Sequence, residues 1–105
     1  MNKVEMLKEI LAANPADAFA RYGLAMEYAR QGEIETALSQ FEQLLRDHPG
    51  YTAGYFMMAQ TLVKAGRIDQ AKQRLEAGID CARRAGNGHA LSEMQGLLDD
   101  LQQGA

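Results

Sequence analysis

Few residues in this chain have the types and spacing that chemistry needs. His89 and Glu93 stand four apart, on one face of a helix, as a pair of metal ligands would. Zinc takes three or four protein ligands, however, and no third Cys, His or acid is placed beside them. The two read as a surface polar pair. Cys81 is the single cysteine. As a nucleophile it would need a base, for which His89 is the candidate, and Arg83-Arg84 between them would lower the thiol pKa. Yet Cys81 falls on a predicted helix with no oxyanion donor or orienting acid, which is the setting of a half-buried packing residue. Arg83-Arg84 then complement a helix C-terminus. His48, beside Pro49, reads as a loop histidine closing another. Gly86-Asn87-Gly88 neither follows a strand nor carries the lysine of a phosphate loop. Nucleophile, base and stabiliser do not converge, so the expectation is a protein that is not an enzyme, with no metal and no cofactor.

The elements that would position a site must come from the rest of the chain. At 105 residues it has the length of one domain, burying roughly 65% of its unfolded surface. Leu, Ala, Met, Gln, Glu, Lys and Arg abound while Val and Ile are sparse, which favours helix over strand. The net charge is −3, and 11 basic residues are dispersed among 14 acidic ones. Nucleic-acid binding calls for a clustered basic face, so it is excluded as an expectation. One cysteine permits no internal disulfide. The N-terminus alternates charged and apolar residues and lacks the apolar block of a secretion signal, and the longest strong apolar run is only Tyr55–Ala59. The expected location is the cytoplasm, away from membranes.

The chain matches itself at an offset of 34 residues. Ala25 falls on Ala59, Gly32 on Gly66, Ile34 on Ile68 and Ala37 on Ala71. Leu24 falls on Met58, Tyr28 on Leu62 and Phe41 on Leu75. One period earlier, Leu7 falls on Phe41, Ile10 on Leu44, Leu11 on Leu45 and Pro15 on Pro49. Matches confined to small, apolar and turn positions are what repeated packing produces.

Two hairpins follow. Phe19, Tyr22, Leu24, Ala25, Met26, Tyr28 and Ala29 spread over two faces of a helix that must be covered on both sides or expose an apolar strip. Gly32 ends that helix. Ile34, Ala37, Leu38, Phe41, Leu44 and Leu45 carry a second, which stops ahead of Pro49. Thr52 is placed to cap the next helix, which Gly66 ends, and Ile68 to about Arg83 forms its partner. Ala25 with Ala37, and Ala59 with Ala71, mark the crossings, where small residues let backbones approach. Residues 2–13 serve as the second helix of a missing first hairpin, stacking Leu7 and Ile10 on repeat one. After a break at residues 85–88, helix 89–102 places Leu91, Met94, Leu98 and Leu101 on one stripe, as a cap with a polar exterior would.

At these residues the chain resembles the tetratricopeptide repeat family. Repeat one supplies Arg21-x2-Leu24-Ala25-x2-Tyr28, then Ala37-x3-Phe41 and Pro49. Repeat two supplies Tyr55-x2-Met58-Ala59-x2-Leu62, then Ala71-x3-Leu75. The departures are Arg21 at an aromatic position, Gly78 where a larger apolar residue is common, and Arg83 for the closing proline. The resemblance implies an all-α, right-handed superhelical array of helix-turn-helix hairpins, about six helices with a C-terminal capping helix. The single domain of residues 1–105 then divides into a half-repeat helix (1–15), repeat one (18–51), repeat two (52–85) and the cap (89–102).

In that family the first helices of successive hairpins line a concave groove. The positions carried over are Tyr22, Met26, Ala29 and Arg30 in repeat one, and Phe56, Gln60, Val63 and Lys64 in repeat two, with Ser92 and Asp99 from the cap. Tyr22 and Phe56, one period apart, are expected side by side. Members that grip a C-terminal carboxylate carry Lys and Asn where this chain has Tyr22, Met26, Phe56 and Gln60, so that ligand is not expected. The resulting expectation is an adaptor that holds a peptide or helix of a partner protein. The alternative is a self-associating structural element, a homo-oligomer joined through its end helices.

Overall fold

The structure, a computed structural model, describes residues 1–104; Ala105, which closes the expected 1–105 span, lies outside them. Among the described residues there are six α-helices and no strand: α1 (Lys3–Ala13), α2 (Ala18–Arg30), α3 (Ile34–Asp47), α4 (Thr52–Lys64), α5 (Ile68–Ala85) and α6 (Gly88–Gln102). The expected all-α array of helix hairpins is what the chain forms.

Short polar side chains start three of these helices. Asn2 Oδ1 accepts the Glu5 N–H at 2.8 Å, Asp17 Oδ1 that of Ala20 at 2.9 Å, and Asn87 Oδ1 that of Ala90 at 3.1 Å. Each satisfies an amide that has no partner within its helix. Thr52, expected to cap α4, is its first helical residue, and its Oγ1 lies 3.3 Å from Cys81 Sγ.

The hairpins turn on two equivalent glycines. Gly32 and Gly66 have φ of 82° and 76°, a region open to glycine at little cost. After α2, Glu33 N–H reaches Tyr28 O at 2.9 Å and Gly32 N–H reaches Ala29 O at 3.1 Å. After α4, Arg67 and Gly66 make the same two bonds to Leu62 and Val63, each 2.9 Å. Both ends are thus Schellman motifs. Ahead of Pro49, His48 leaves the helical region (φ −135°, ψ 74°) and its ring Nε2 donates to Ala16 O at 3.1 Å.

The chain divides into two compact units, Met1–Tyr51 and the remainder from Thr52. In the first, α2 packs along α3, and Ala25 and Ala37 are both 0% exposed. α1 lies on α2 through a cluster of Leu7, Leu11, Ala20 and Leu24, flanked by Val4 and Tyr28. Leu7 packs as expected. Ile10 does not: it is 40% exposed, and Leu11 is buried in its stead. Leu44, the equivalent of Ile10, is fully buried in α3, which pairs with α2 as a hairpin, whereas α1 meets α2 through Leu7 and Leu11, which leaves Ile10 on its outer side. Arg21, at the aromatic position, spans the hairpin with polar bonds: Nη1 to Gln40 Oε1 at 2.8 Å and Nη2 to Pro15 O at 3.3 Å.

In the second unit α4 pairs with α5, and Ala59 and Ala71 repeat the 0% exposure of the first crossing. α6 packs on α5 and touches α4. Its Met94, Leu98 and Leu101 are buried, while Leu91 is only half-buried. The departure at Gly78 has a physical cause. A Cβ there would lie 2.5 Å from Met94 Sδ and 2.6 Å from Tyr55 Cβ, so three helices meet where only hydrogen fits.

Candidate functional site

A 3.6-residue period sets Tyr22, Met26, Ala29 and Arg30 on one face of α2. The first three are half-buried and Arg30 is exposed. The sequence reading missed a fifth residue of this face. Phe19, one turn before Tyr22, is 77% exposed, the most exposed large apolar residue of the chain after Met1. Its signal was legible as Phe19–Tyr22–Met26 at i, i+3 and i+7 with no core position to fill.

Tyr22 is less free than a groove residue was expected to be. Its ring centroid is 5.3 Å from that of Tyr51 and 6.5 Å from that of Phe41, the latter edge-on. Burial first, and then the neighbouring Tyr51, raise its phenol pKa above the ordinary 10.0. Burial, with Asp17 second, does the same for Tyr51. Tyr22 therefore rests against this aromatic group and stays half-buried.

Arg30, carried over as a groove position, would be a free cation there if nothing held it. It is bound to Glu27 instead: Nη2 donates to Oε1, and Nε to Oε2 at 3.2 Å. Glu27, unnoticed in the sequence, is a buried carboxylate that also receives Gln31 Nε2 at 3.4 Å and faces Lys3 Nζ of α1 at 3.9 Å. The Arg30 bond foremost holds its pKa below the ordinary 4.5. A depressed pKa means the folded state binds the proton less tightly than the unfolded chain. Its contribution is present above 4.5 and is lost as pH falls through the folded value. Glu27→Gln is thus expected to flatten the acid side of the stability curve below pH 4.5, as followed by circular dichroism during acid titration. A Glu27→Gln curve parallel to the parent's would contradict this role.

In the second unit Phe56, Gln60, Val63 and Lys64 share one face of α4, the first three half-buried and Lys64 exposed. The position equivalent to Glu27 is Thr61, whose hydroxyl donates to Met57 O at 2.8 Å, so the α4 face has no buried charge beneath it. Ser92 and Asp99 of α6 are exposed, and Gln95 Nε2 donates to Asp99 Oδ1 at 3.0 Å.

The residues first considered for chemistry lie elsewhere. His89 Nε2 and Glu93 Oε1 are 3.4 Å apart on the exposed side of α6, and no group of three potential metal ligands occurs among the described residues. Cys81 is buried against Thr52. No helix among the described residues is long and apolar enough to cross a membrane.

Paired helices with a repeated small-residue crossing and a glycine-closed turn define a helical-hairpin repeat protein. The tetratricopeptide repeat model matches residues 28–94, and the chain belongs to the tetratricopeptide repeat family. It is 30% identical over 98 residues to a TPR repeat-containing protein of Pseudomonas aeruginosa, covering 93% of each. A tetratricopeptide repeat domain protein from Salinibacter ruber, solved by solution NMR, matches with a TM-score of 0.82 at 30% identity, over 88% of this chain and 93% of that one. The TPR2B domain of yeast Sti1, solved in a complex with pHsp70, shares the fold at a TM-score of 0.89 and 19% identity, over 97% of this chain and 82% of that one.

Proposed function

We propose that this protein is a protein-interaction module, an adaptor that holds a peptide or helix of a partner against the accessible faces of α2 and α4. The observation that carries this reading is the accessible apolar strip on the first helix of each hairpin, above all Phe19 at 77% exposure beside Tyr22 and Met26. Large apolar side chains in water are costly unless something covers them, and aromatic and Met side chains dominate the energetics of such contacts. The Sti1 domain, solved with pHsp70, supports the reading by analogy of fold. Because Glu27 occupies Arg30, the unit-one strip offers apolar contact in place of a free cation, which fits an apolar segment better than a carboxylate tail. We place the protein in the cytoplasm, where a buried cysteine outside any disulfide, as Cys81 is, stays reduced.

Phe19→Ser with Phe56→Ala tests the proposal more cleanly than truncating Tyr22, whose ring also packs on Phe41 and Tyr51. The double variant is expected to keep its helical spectrum and to lose partner capture by at least about tenfold, the scale of two interface anchors. Undiminished capture by a folded double variant would refute the assignment of these faces.

A further inference from the structure

We infer that the outer face of α6, centred on Gly96, seats a basic amphipathic helix of a partner, which crosses α6 at that glycine and leans on Phe56 and Val63 of α4. The inference rests on the binding role proposed above and adds the kind of partner.

Burial fixes the register of α6 against α4. An offset of 36 residues, 34 plus the two extra of the linker, lays Met58 on Met94 and Leu62 on Leu98, all four buried. The same offset lays Phe56 on Ser92, Gln60 on Gly96 and Val63 on Asp99, so α6 repeats, within one unit, the face that α4 offers. Gly96 is exposed and lies opposite the buried stripe of Met94, Leu98 and Leu101. A helix that paired with α6 as α5 pairs with α4 would take the register of the fully buried Ala59, where α6 has Gln95, and leave Gly96 uncovered.

Packing within the unit gives no reason for this glycine. It stands inside α6, its φ is not positive, and no atom lies within 4 Å of the place a Cβ would occupy. A glycine there weakens the helix relative to alanine and offers in return a backbone that another backbone can approach. Gly78 shows that use inside the fold, where a Cβ would strike Met94 Sδ at 2.5 Å because helices already meet. Gly96 presents the same bare backbone on an exposed face.

Charge selects the occupant. Glu93, Asp99 and Asp100 flank Gly96 and are exposed, and the sequence has no Lys or Arg after Arg84. Glu93 lies beside His89 at 3.4 Å, and Asp99 accepts from the neutral Gln95 at 3.0 Å. Against these three carboxylates the α4 face sets Lys64. Asp99 and Asp100 also stand at the negative end of the α6 dipole, in a turn whose sequence, Asp99-Asp100-Leu101-Gln102, has no cation to offset them. A helix rimmed with Lys or Arg supplies that cation. A second copy of this chain, itself carrying −3, does not.

A phage-displayed library of amphipathic helices tests this, each about five turns long, with Leu and Ala on one stripe and Lys or Glu at random elsewhere. It is selected against the full chain, and peptides from the enriched pool are titrated by fluorescence anisotropy. They are expected to be rich in Lys and to bind Gly96→Gln, which carries the α4 residue of this register, about tenfold more weakly. Asp99→Asn/Asp100→Asn should cost about fivefold and flatten the salt dependence. Gly96→Ala should melt higher than the parent and yet bind less tightly, a split that a purely structural glycine would not give. No enrichment, a pool without excess lysine, or affinity unchanged in Gly96→Gln would overturn the proposal. If that affinity is unchanged while Phe56→Ala loses it, the binding role of α4 stands and this inference falls; insensitivity to both removes both. Parent chains that associate in sedimentation velocity, and cease to in Gly96→Gln, would make a second copy the occupant and overturn it too.

Discussion

Ala37→Glu is expected to lower the unfolding free energy by about 3–5 kcal/mol, the cost of an unpaired charge forced into a protein interior. Ala37 is 0% exposed on a helix that packs against α2, where Ala25 is equally buried. A glutamate there cannot reach water without prising the hairpin open. The loss is comparable to the whole stability of a marginal domain, roughly 5–15 kcal/mol, so most of the helical signal of the first unit should disappear at moderate denaturant. Urea titration by circular dichroism measures it. A midpoint unchanged from the parent would show that α2 and α3 do not meet at these alanines.

Gly78→Val is the second large effect, expected to destabilise by about 2 kcal/mol in the same titration. Two terms compete at this position. Replacing a glycine inside a helix recovers up to about 1 kcal/mol of backbone entropy. Overpacking a filled core costs about 1–3 kcal/mol. The distances decide between them: Tyr55 Cβ, 2.6 Å from the new Cβ, is fixed to its backbone, and Met94 is 0% exposed with nowhere to retreat. Valine adds two further methyls to the clash and regains little propensity. Gly96→Ala is the control, because no atom lies within 4 Å of its added Cβ, and it should stabilise α6 by about 0.5–1 kcal/mol. Equal behaviour at Gly78 and Gly96 would mean the α4–α5–α6 contact is looser than described.

The hairpins were legible because their determinants are local or periodic. Ala25, Ala37, Ala59 and Ala71 recur at one offset, and the glycines and Pro49 mark ends that any backbone must respect. Ile10 was misplaced because the repeat was extended one period too far. The pattern gives α1 the register of α3, but α1 meets α2 through Leu7 and Leu11 and leaves Ile10 out of that contact. Gly78 looked like a weak point in the second repeat and is a close contact, since the residue it accommodates, Met94, comes from a helix outside the repeat pattern. Arg30 and Phe19 show the same limit at the site. A lone arginine at a helix end reads as a free cation until the buried Glu27 three residues before it is seen to hold it. Asn2, Asp17 and Asn87 could have been named as caps from their types alone.

The most direct test of the binding faces is site-specific photocrosslinking. A benzophenone amino acid is placed in turn at Met26, at Phe56 and at the exposed Gln73 of α5, and each full-length protein is irradiated in cell extract. If α2 and α4 hold a partner, Met26 and Phe56 yield the same discrete protein adduct, suppressed by excess unmodified chain but not by excess Phe19→Ser/Phe56→Ala, while Gln73 yields none. Adducts that are equal from all three positions, or that the double variant suppresses as well as the parent does, would contradict it.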